Sequence, residues 1–146
     1  MEGKYVQADS LLELFHFVRF DGVPVVGNTL SKDTLAVNQF FEVYLSQKLK
    51  EFSKNKQKLL WGVKGRDGIV PLYFVETENS GKPVLTFQNV KKALQQQNYH
   101  DRTVVAIELN SEDAKRWEDF TAKAYKENFQ FAITIKDNVY SAVGVM

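Results

Sequence analysis

The sequence contains no cysteine, which excludes disulfide bonds, thiolate metal ligands and thiol nucleophiles. Only two histidines are present, so a metal site built on imidazoles would need carboxylates to complete it. An excess of one charge is missing too: 19 Lys and Arg stand against 18 Asp and Glu, and a net charge of +1 argues against a nucleic-acid partner. No apolar run approaches the roughly 20 residues of a membrane-spanning helix.

What the sequence does contain is typical of a packed globular protein. Hydrophobic residues make up 44% of its 146 residues, including 11 Phe and 6 Tyr. A chain of this length buries roughly 70% of its unfolded surface, which is enough for a core of its own. We therefore expect residues 1–146 to form a single domain.

Motifs for phosphate or acid–base chemistry are also missing. The segment GVKGRDG at 62–68 has closely spaced glycines but lacks the following helix and the Lys-Ser/Thr pair of a phosphate loop. The acidic pairs Glu112-Asp113 and Glu118-Asp119 are neighbours in a predicted helix, where adjacent side chains point about 100° apart and do not share a proton. The sequence therefore predicts no enzyme, no cofactor and no small-molecule substrate.

The two histidines have ordinary explanations alongside functional ones. His16 lies in an alternating apolar series and is predicted to be hydrogen-bonded and partly buried. The pair His100-Asp101 has the composition to orient an imidazole for base chemistry, although a loop dipeptide of this kind is typical of a protein surface. An enzyme built on either histidine stays open as the weakest alternative.

Hydrophobic periodicity in the first third predicts a strand and then a helix. Residues Leu12 to Phe20 alternate in the manner of a strand with one buried face, and a loop with a short extended piece at Val25-Val26 follows. Apolar residues then recur at helical spacing as far as Phe52, with Ser31 as the predicted N-cap.

A hairpin is predicted in the middle of the chain. Two strand-like runs, Leu59 to Lys64 and Ile69 to Val75, flank Asp67-Gly68, which is a strong hairpin-turn signal. Pro71 lies inside the second run and has no N–H to donate to a ladder. It is therefore predicted to lie at a sheet edge or a bulge.

The last third predicts alternating helices and strands. The order of all these elements indicates an α+β fold, a mainly antiparallel sheet with helices packed on one face. The predicted elements are a helix from Gln88 to Asn98, a strand from Thr103 to Leu109, a helix capped by Asn110 or Ser111 and ending near Asn128, and a closing hairpin of Phe129 to Lys136 with Val139 to Val145 about Asp137-Asn138.

Lysines are concentrated where the first long helix ends. Between residues 48 and 58 there are five lysines and one acid, a local charge of five minus one, or +4. Such a cluster is typical of a helix C-terminus and a solvated loop, but it also fits a surface that binds anionic lipid or an acidic partner. The candidate partner-binding residues in this lysine patch are Lys48, Lys54, Lys56 and Lys58.

Residues 104–145 resemble a known family. The pattern is a strand ending in Asn-Ser-Glu at 110–112, a helix with Ala114, Trp117 and Thr121, and then Asn128 before an apolar strand at 133–135, Asp137 and the segment Val-Tyr-Ser-Ala at 139–142. It resembles the head region of the first periplasmic domain of SecD and of fused SecDF, an accessory component of the bacterial Sec protein-export machine. Fainter similarity lies at residues 8–15, 31–41, 60–64 and 71–73.

The resemblance implies a fold, a location and a kind of partner. It implies a ferredoxin-like head that acts in the periplasm or at the exported side of the membrane and contacts an unfolded polypeptide, another protein or a membrane protein complex. Val139, Tyr140 and Val143 of the closing hairpin are then candidate partner-binding residues, since the edge of a hairpin can accept a further strand. A structural or regulatory domain that docks through the lysine patch is the alternative.

Overall fold

The computed structural model describes residues 8–18, 24–48, 56–77 and 81–145, which form two compact units. Unit 1 combines residues 1–76 with 130–143, and unit 2 combines residues 77–129 with 144–146. The described residues contain three α-helices and eight strands, and the fold is α+β with antiparallel sheets, as predicted. The helices are α1 Ala8–Leu14, α2 Thr34–Lys48 and α3 Ser111–Glu127, and the strands are β1 His16–Phe17, β2 Val25–Leu30, β3 Gln57–Trp61, β4 Ile69–Glu76, β5 Val90–Gln97, β6 Thr103–Leu109, β7 Gln130–Ile135 and β8 Asn138–Gly144.

Unit 1 is built on a four-stranded antiparallel sheet with the order β1-β2-β4-β3. The predicted hairpin between β3 and β4 is confirmed. Its turn is closed by a 2.8 Å hydrogen bond from the Gly65 amide to the Ile69 carbonyl, and Gly68 has the positive φ of 81° that glycine tolerates best. The Asp67 carboxylate also accepts a hydrogen bond from the Ile69 amide at 3.2 Å.

The position of Pro71 differs from the prediction. β4 is a central strand, paired with both β2 and β3, and not a sheet edge. The Pro71 carbonyl accepts a hydrogen bond from the Gly62 amide at 2.7 Å. Because the N and C=O of one strand residue point to the same side, the missing N–H of Pro71 faces Gly62, just past the end of β3. The proline therefore removes a single bond at the end of a ladder.

The predicted first strand, Leu12 to Phe20, is helical at its start and a strand only at its centre, and its last two residues lie outside the described residues. Residues Ala8 to Leu14 form α1, and only His16 and Phe17 pair as β1. Leu11 and Phe15 lie four residues apart and are 4% and 1% exposed, while Leu12 is 62% exposed. The buried positions therefore follow the helical period instead of the alternation that predicted a strand.

The core of unit 1 lies between the two helices and the sheet. Its fully buried members are Leu11, Phe15, Val37 and Leu72, from α1, the α1–β1 junction, α2 and β4. The buried Thr29 hydroxyl donates a hydrogen bond to the Leu14 carbonyl and so connects β2 to the end of α1. These contacts fix α1 and α2 against the sheet.

The first long helix starts later than predicted. α2 begins at Thr34, and the Thr34 hydroxyl donates to the Ser31 carbonyl at 3.1 Å, so Ser31 belongs to a turn and is not the N-cap. The loop predicted between the first strand and this helix is also partly wrong, since Val25 to Leu30 form the continuous strand β2. The predicted end of the helix at Phe52 lies outside the described residues.

In unit 2 the predicted helix at residues 88–98 is a strand. β5 pairs antiparallel with β6 in a register that joins Ala93 to Ile107 and Gln97 to Thr103. The strand β6 has the predicted boundaries. Its backbone forms hydrogen bonds with residues 90–97, and this pairing replaces the predicted helix. The turn between them is held by the Asn98 side chain, which accepts hydrogen bonds from the amides of His100 at 2.9 Å and Arg102 at 3.1 Å.

Both ends of α3 follow the prediction. Asn110 is the N-cap, and its side-chain oxygen accepts a hydrogen bond from the Asp113 amide at 2.9 Å. The Asn110 side-chain amide in turn donates to the Asp113 carboxylate at 2.7 Å. The helix ends at Asn128, whose φ of 52° is left-handed, and the Phe129 amide returns to the Ala124 carbonyl at 3.1 Å.

The closing hairpin is present, but its turn lies one residue earlier than predicted. Lys136 and Asp137 have φ values of 49° and 63°, which is the conformation of a two-residue type I′ turn. Asn138 is the first residue of β8, and its side-chain amide donates to the Lys136 carbonyl at 3.3 Å.

Candidate functional site

The lysine patch is described only in part. Lys48 is the last residue of α2, while Lys54 lies outside the described residues. The side chains of Lys56 and Lys58 are exposed at the start of β3. The structure therefore places two of the four predicted lysines on the surface of unit 1 and leaves their role as a prediction.

The three residues predicted from the closing hairpin all lie in β8, with different exposure. Val139 is 2% exposed, Tyr140 is 57% exposed and Val143 is half-buried. The Val139 carbonyl accepts a hydrogen bond from the Val63 amide at 3.2 Å, next to an isolated parallel bridge between Val139 and Gly62. Val139 thus contributes its backbone to a junction with β3, and Tyr140 is the residue of the three that presents a large side chain to solvent.

Residues on both sides of this junction line an open surface cavity of about 370 Å³ in unit 1, which we call the Trp61 cavity. It lies between the turn that precedes α2, the segment that follows β3, and the start of β8. The sequence does not predict it, because Gly62 and Val139 are 77 residues apart and an isolated bridge joins their two segments. Its lining residues are Ser31, Thr34, Trp61, Gly62, Val63, Lys64, Val70, Asn138 and Tyr140.

The Trp61 side chain is held in a fixed orientation. Its indole N–H donates a hydrogen bond to the Asn38 side-chain oxygen of α2 at 2.9 Å, and its ring packs against the core of unit 1. A half-buried tryptophan with a satisfied N–H offers a large apolar surface at a small cost in conformational entropy. The only sequence signal for this role is a tryptophan near the end of an amphipathic strand.

A second cavity, also of about 370 Å³, lies in unit 2 along α3. Its charges are balanced, with Glu112 and Asp119 against Arg116 and Lys123. The Arg116 guanidinium lies 3.5 Å from the Val84 carbonyl and 3.7 Å from the Asp113 carboxylate. It therefore connects the segment before β5 to α3. A balanced set of this kind favours no ligand charge.

Ion pairs in unit 2 raise the pKa of two exposed lysines. The hydrogen bond from Lys91 to Glu108, at 2.8 Å across β5 and β6, raises the pKa of Lys91. Hydrogen bonds to Asp119 and Glu118 raise the pKa of Lys115 on α3. Both pairs are exposed, so they contribute little to stability.

Both histidines lie on the surface. His16 is exposed, so the prediction that it is partly buried is wrong. His100 is exposed as predicted, and its ring lies 4.6 Å from the ring of Tyr99, measured between centroids. Across the described ranges, no cluster of three or more His, Asp or Glu side chains is arranged to hold a metal ion.

Comparison with protein families matches residues 67–146, more than half of the chain, to the SecDF P1 head subdomain. The chain belongs to the SecDF P1 head family. The match runs from the β3–β4 turn through β8 and therefore includes the predicted region of resemblance, 104–145. It makes the chain a SecD-like domain related to protein export, and the P1 head is a periplasmic part of a protein-translocation component.

No curated protein sequence and no solved structure shows significant similarity to the chain. Among the residues that the structure describes, no helix of this P1 head combines the length and apolar character needed to cross a bilayer.

Proposed function

We propose that this SecDF-type head is a non-catalytic binding module that contacts an extended polypeptide or a protein partner during export, on the periplasmic side of the membrane. The observation that carries the proposal is the edge of β7. Within the described residues, β8 is the only strand bonded to β7. The stretch Ala132 to Ile135 therefore has a free side on which a further strand can pair by β-augmentation.

The side chains of this edge suit an extended apolar segment. Ile133 is 49% exposed and Ile135 is 53% exposed, and both lie on the same face of β7 because residues two apart in a strand share a face. Main-chain hydrogen bonds give such a complex affinity that depends little on sequence, while the isoleucines favour apolar side chains. Both properties suit a domain that meets many different exported chains.

Replacing Ile133 by lysine tests the β7 edge. A charge in the middle of an edge strand opposes pairing, so we expect Ile133→Lys to weaken the binding of a fluorescein-labelled, unstructured 30-residue polypeptide about 10-fold in fluorescence anisotropy. A backbone N-methylated version of the same polypeptide should bind equally weakly, because it cannot donate the pairing hydrogen bonds.

The matched control is Ile107→Lys. Ile107 is a 59% exposed isoleucine on β6 of the other two-stranded sheet, so the substitution makes the same chemical change away from β7. Circular dichroism checks that both variants fold. Equal affinities for the two variants would contradict the assignment of the binding edge to β7.

We also propose that residues 1–146 form one domain with the ferredoxin-like arrangement of the SecD head. Each compact unit contains one tryptophan, Trp61 in unit 1 and Trp117 in unit 2. In urea, Trp117→Phe, which leaves Trp61 of unit 1 as the sole tryptophan, should then show the same unfolding midpoint by tryptophan emission as by far-UV circular dichroism, which reports both units, because a single domain unfolds cooperatively. Two separate midpoints would mean that the units unfold independently.

Docking through the lysine patch is the second candidate function. The exposed side chains of Lys56 and Lys58 support it. Charge reversal at Lys54 and Lys56 should then weaken co-purification with a membrane complex and make the remaining association insensitive to salt. Unchanged association would eliminate this candidate, and it would leave the β7 proposal in place.

A further inference from the structure

The Trp61 cavity lies on the same surface as the proposed polypeptide edge. A two-residue I′ turn at Lys136-Asp137 places Ile135 across from Asn138 and Ile133 across from Tyr140 in the β7–β8 hairpin. Cross-strand partners share a face of the sheet. The exposed isoleucines of β7 are therefore continuous with Asn138 and Tyr140, which line the cavity.

We propose that the Trp61 cavity binds an apolar or aromatic side chain of the polypeptide together with an adjacent carboxylate. The inference rests on the proposed function, and it names the class of segment that this P1 head selects: an aromatic or large aliphatic residue next to Asp or Glu. The β7 edge then supplies affinity for any extended chain, and the cavity supplies a preference among chains.

The apolar half of the lining suits a single large side chain. A volume of about 370 Å³ is at the lower end of the range of ligand pockets, which is sufficient for one aromatic side chain and its surroundings. Val70 is a buried lining residue, while Val63 and Tyr140 are 49% and 57% exposed. Because the indole of Trp61 is already held by Asn38, little further ordering is needed when a ring packs against it.

The polar half of the lining favours a negative charge. Lys64 is the single charged residue among the lining residues, and none of them carries a carboxylate. Asp33 and Asp137 are neighbours of the lining in sequence but do not belong to it. The hydroxyl of Ser31 and the side-chain amide of Asn138 add groups that hydrogen-bond a carboxylate or a peptide bond.

The test uses a protein in which Trp61 is the sole tryptophan. Trp117→Phe leaves Trp61 as the reporter, and its emission is followed while four synthetic ten-residue Ser/Thr-rich peptides are added, with a central Phe-Asp, Phe-Lys, Ser-Asp or Ser-Ser pair. We expect the Phe-Asp peptide to change the Trp61 emission and to bind about 10-fold more tightly than Ser-Asp, because the ring leaves water in the cavity. It should bind about threefold more tightly than Phe-Lys at low salt.

Two variants with matched controls locate the site on the protein. Tyr140→Ala should weaken the Phe-Asp peptide about fivefold, whereas Tyr125→Ala removes a similarly exposed tyrosine of α3 and should leave binding unchanged. Lys64→Glu should reverse the preference between Phe-Asp and Phe-Lys. Arg66→Glu makes the same charge reversal two residues away, outside the lining, and should preserve the preference.

The outcomes separate this inference from the proposed function. If the labelled polypeptide binds and Ile133→Lys weakens it, but Tyr140→Ala behaves like Tyr125→Ala and the Trp61 emission stays constant, the cavity inference is wrong and the β7 proposal stands. If neither the polypeptide nor any of the peptides binds, both are wrong. If Tyr140→Ala and Lys64→Glu lose the preference for Phe-Asp while Tyr125→Ala and Arg66→Glu keep it, the cavity inference is confirmed.

Discussion

Replacing Phe15 by alanine is expected to lower the free energy of unfolding by about 4 kcal/mol, within the range found when a buried aromatic ring is removed. Phe15 is 1% exposed, and its ring meets those of Phe17 and Phe41 edge-to-face, with centroid distances of 4.9 Å and 5.5 Å. It contacts α1, α2 and the sheet of unit 1 together. Since ordinary domains are stable by about 5–15 kcal/mol, this single change would bring the protein close to unfolding.

Urea unfolding followed by tryptophan fluorescence measures this loss as a lower midpoint. The matched control is Phe87→Ala, which removes the same side chain from a position that is 83% exposed, and it should change the free energy of unfolding by less than about 0.5 kcal/mol. A loss below about 1 kcal/mol in Phe15→Ala, or equal losses in the two variants, would contradict the packing of the unit 1 core.

The second large effect is expected at Gly27, where alanine should cost about 3 kcal/mol. Gly27 lies in β2 between β1 and β4, paired with Phe17 and Leu72. A Cβ atom there would lie 2.6 Å from the backbone oxygen of His16 and would also overlap the ring of Phe15. The strand must therefore shift or the ring must leave its place, and either change disturbs the core.

Coupling between the two sites tests the cause. In the Phe15→Ala background the ring is absent, so Gly27→Ala should cost clearly less than in the wild type, with an interaction energy of about 1 kcal/mol or more. The control Gly65→Ala brings a Cβ to 2.9 Å from the Asp67 side-chain oxygen that accepts from the Ile69 amide. This side chain is able to rotate away at the loss of that one exposed hydrogen bond, so the control should cost about 1 kcal/mol. Additive losses at Gly27 and Phe15 would mean that the glycine is required for another reason.

The parts of the fold that follow from sequence are those with local chemistry. The strand at Thr103–Leu109 and the caps of α3 at Asn110 and Asn128 have the predicted positions, because a cap is made by side chains within four residues of the helix end. The β3–β4 hairpin at Asp67-Gly68 is equally local. The closing hairpin has its turn at Lys136-Asp137 and not at the predicted Asp137-Asn138. Lys136 adopts a positive φ there, and lysine is not a residue type that indicates such a conformation.

The predictions that failed depend on distant partners. The segment at 88–98 has a helical apolar stripe, yet it forms β5 because β6 is adjacent and supplies a ladder of hydrogen bonds. The alternation from Leu12 to Phe20 suggests a strand, but α1 forms because Leu11 and Phe15 reach the same core as Val37 and Leu72. Pro71 is tolerated in the central strand β4 because its nitrogen faces the segment just past the end of β3, where the missing N–H removes one bond at the end of the ladder.

For the candidate site the division is similar. The sequence by itself determined the fold class, the family and the presence of Tyr140 in a terminal hairpin, because these depend on composition, on the order of motifs and on turn chemistry. The tertiary structure alone decided that Val139 is buried and that Trp61 and Lys64 lie beside Tyr140. That proximity depends on one backbone bridge between segments about 77 residues apart, and no local pattern in either segment encodes it.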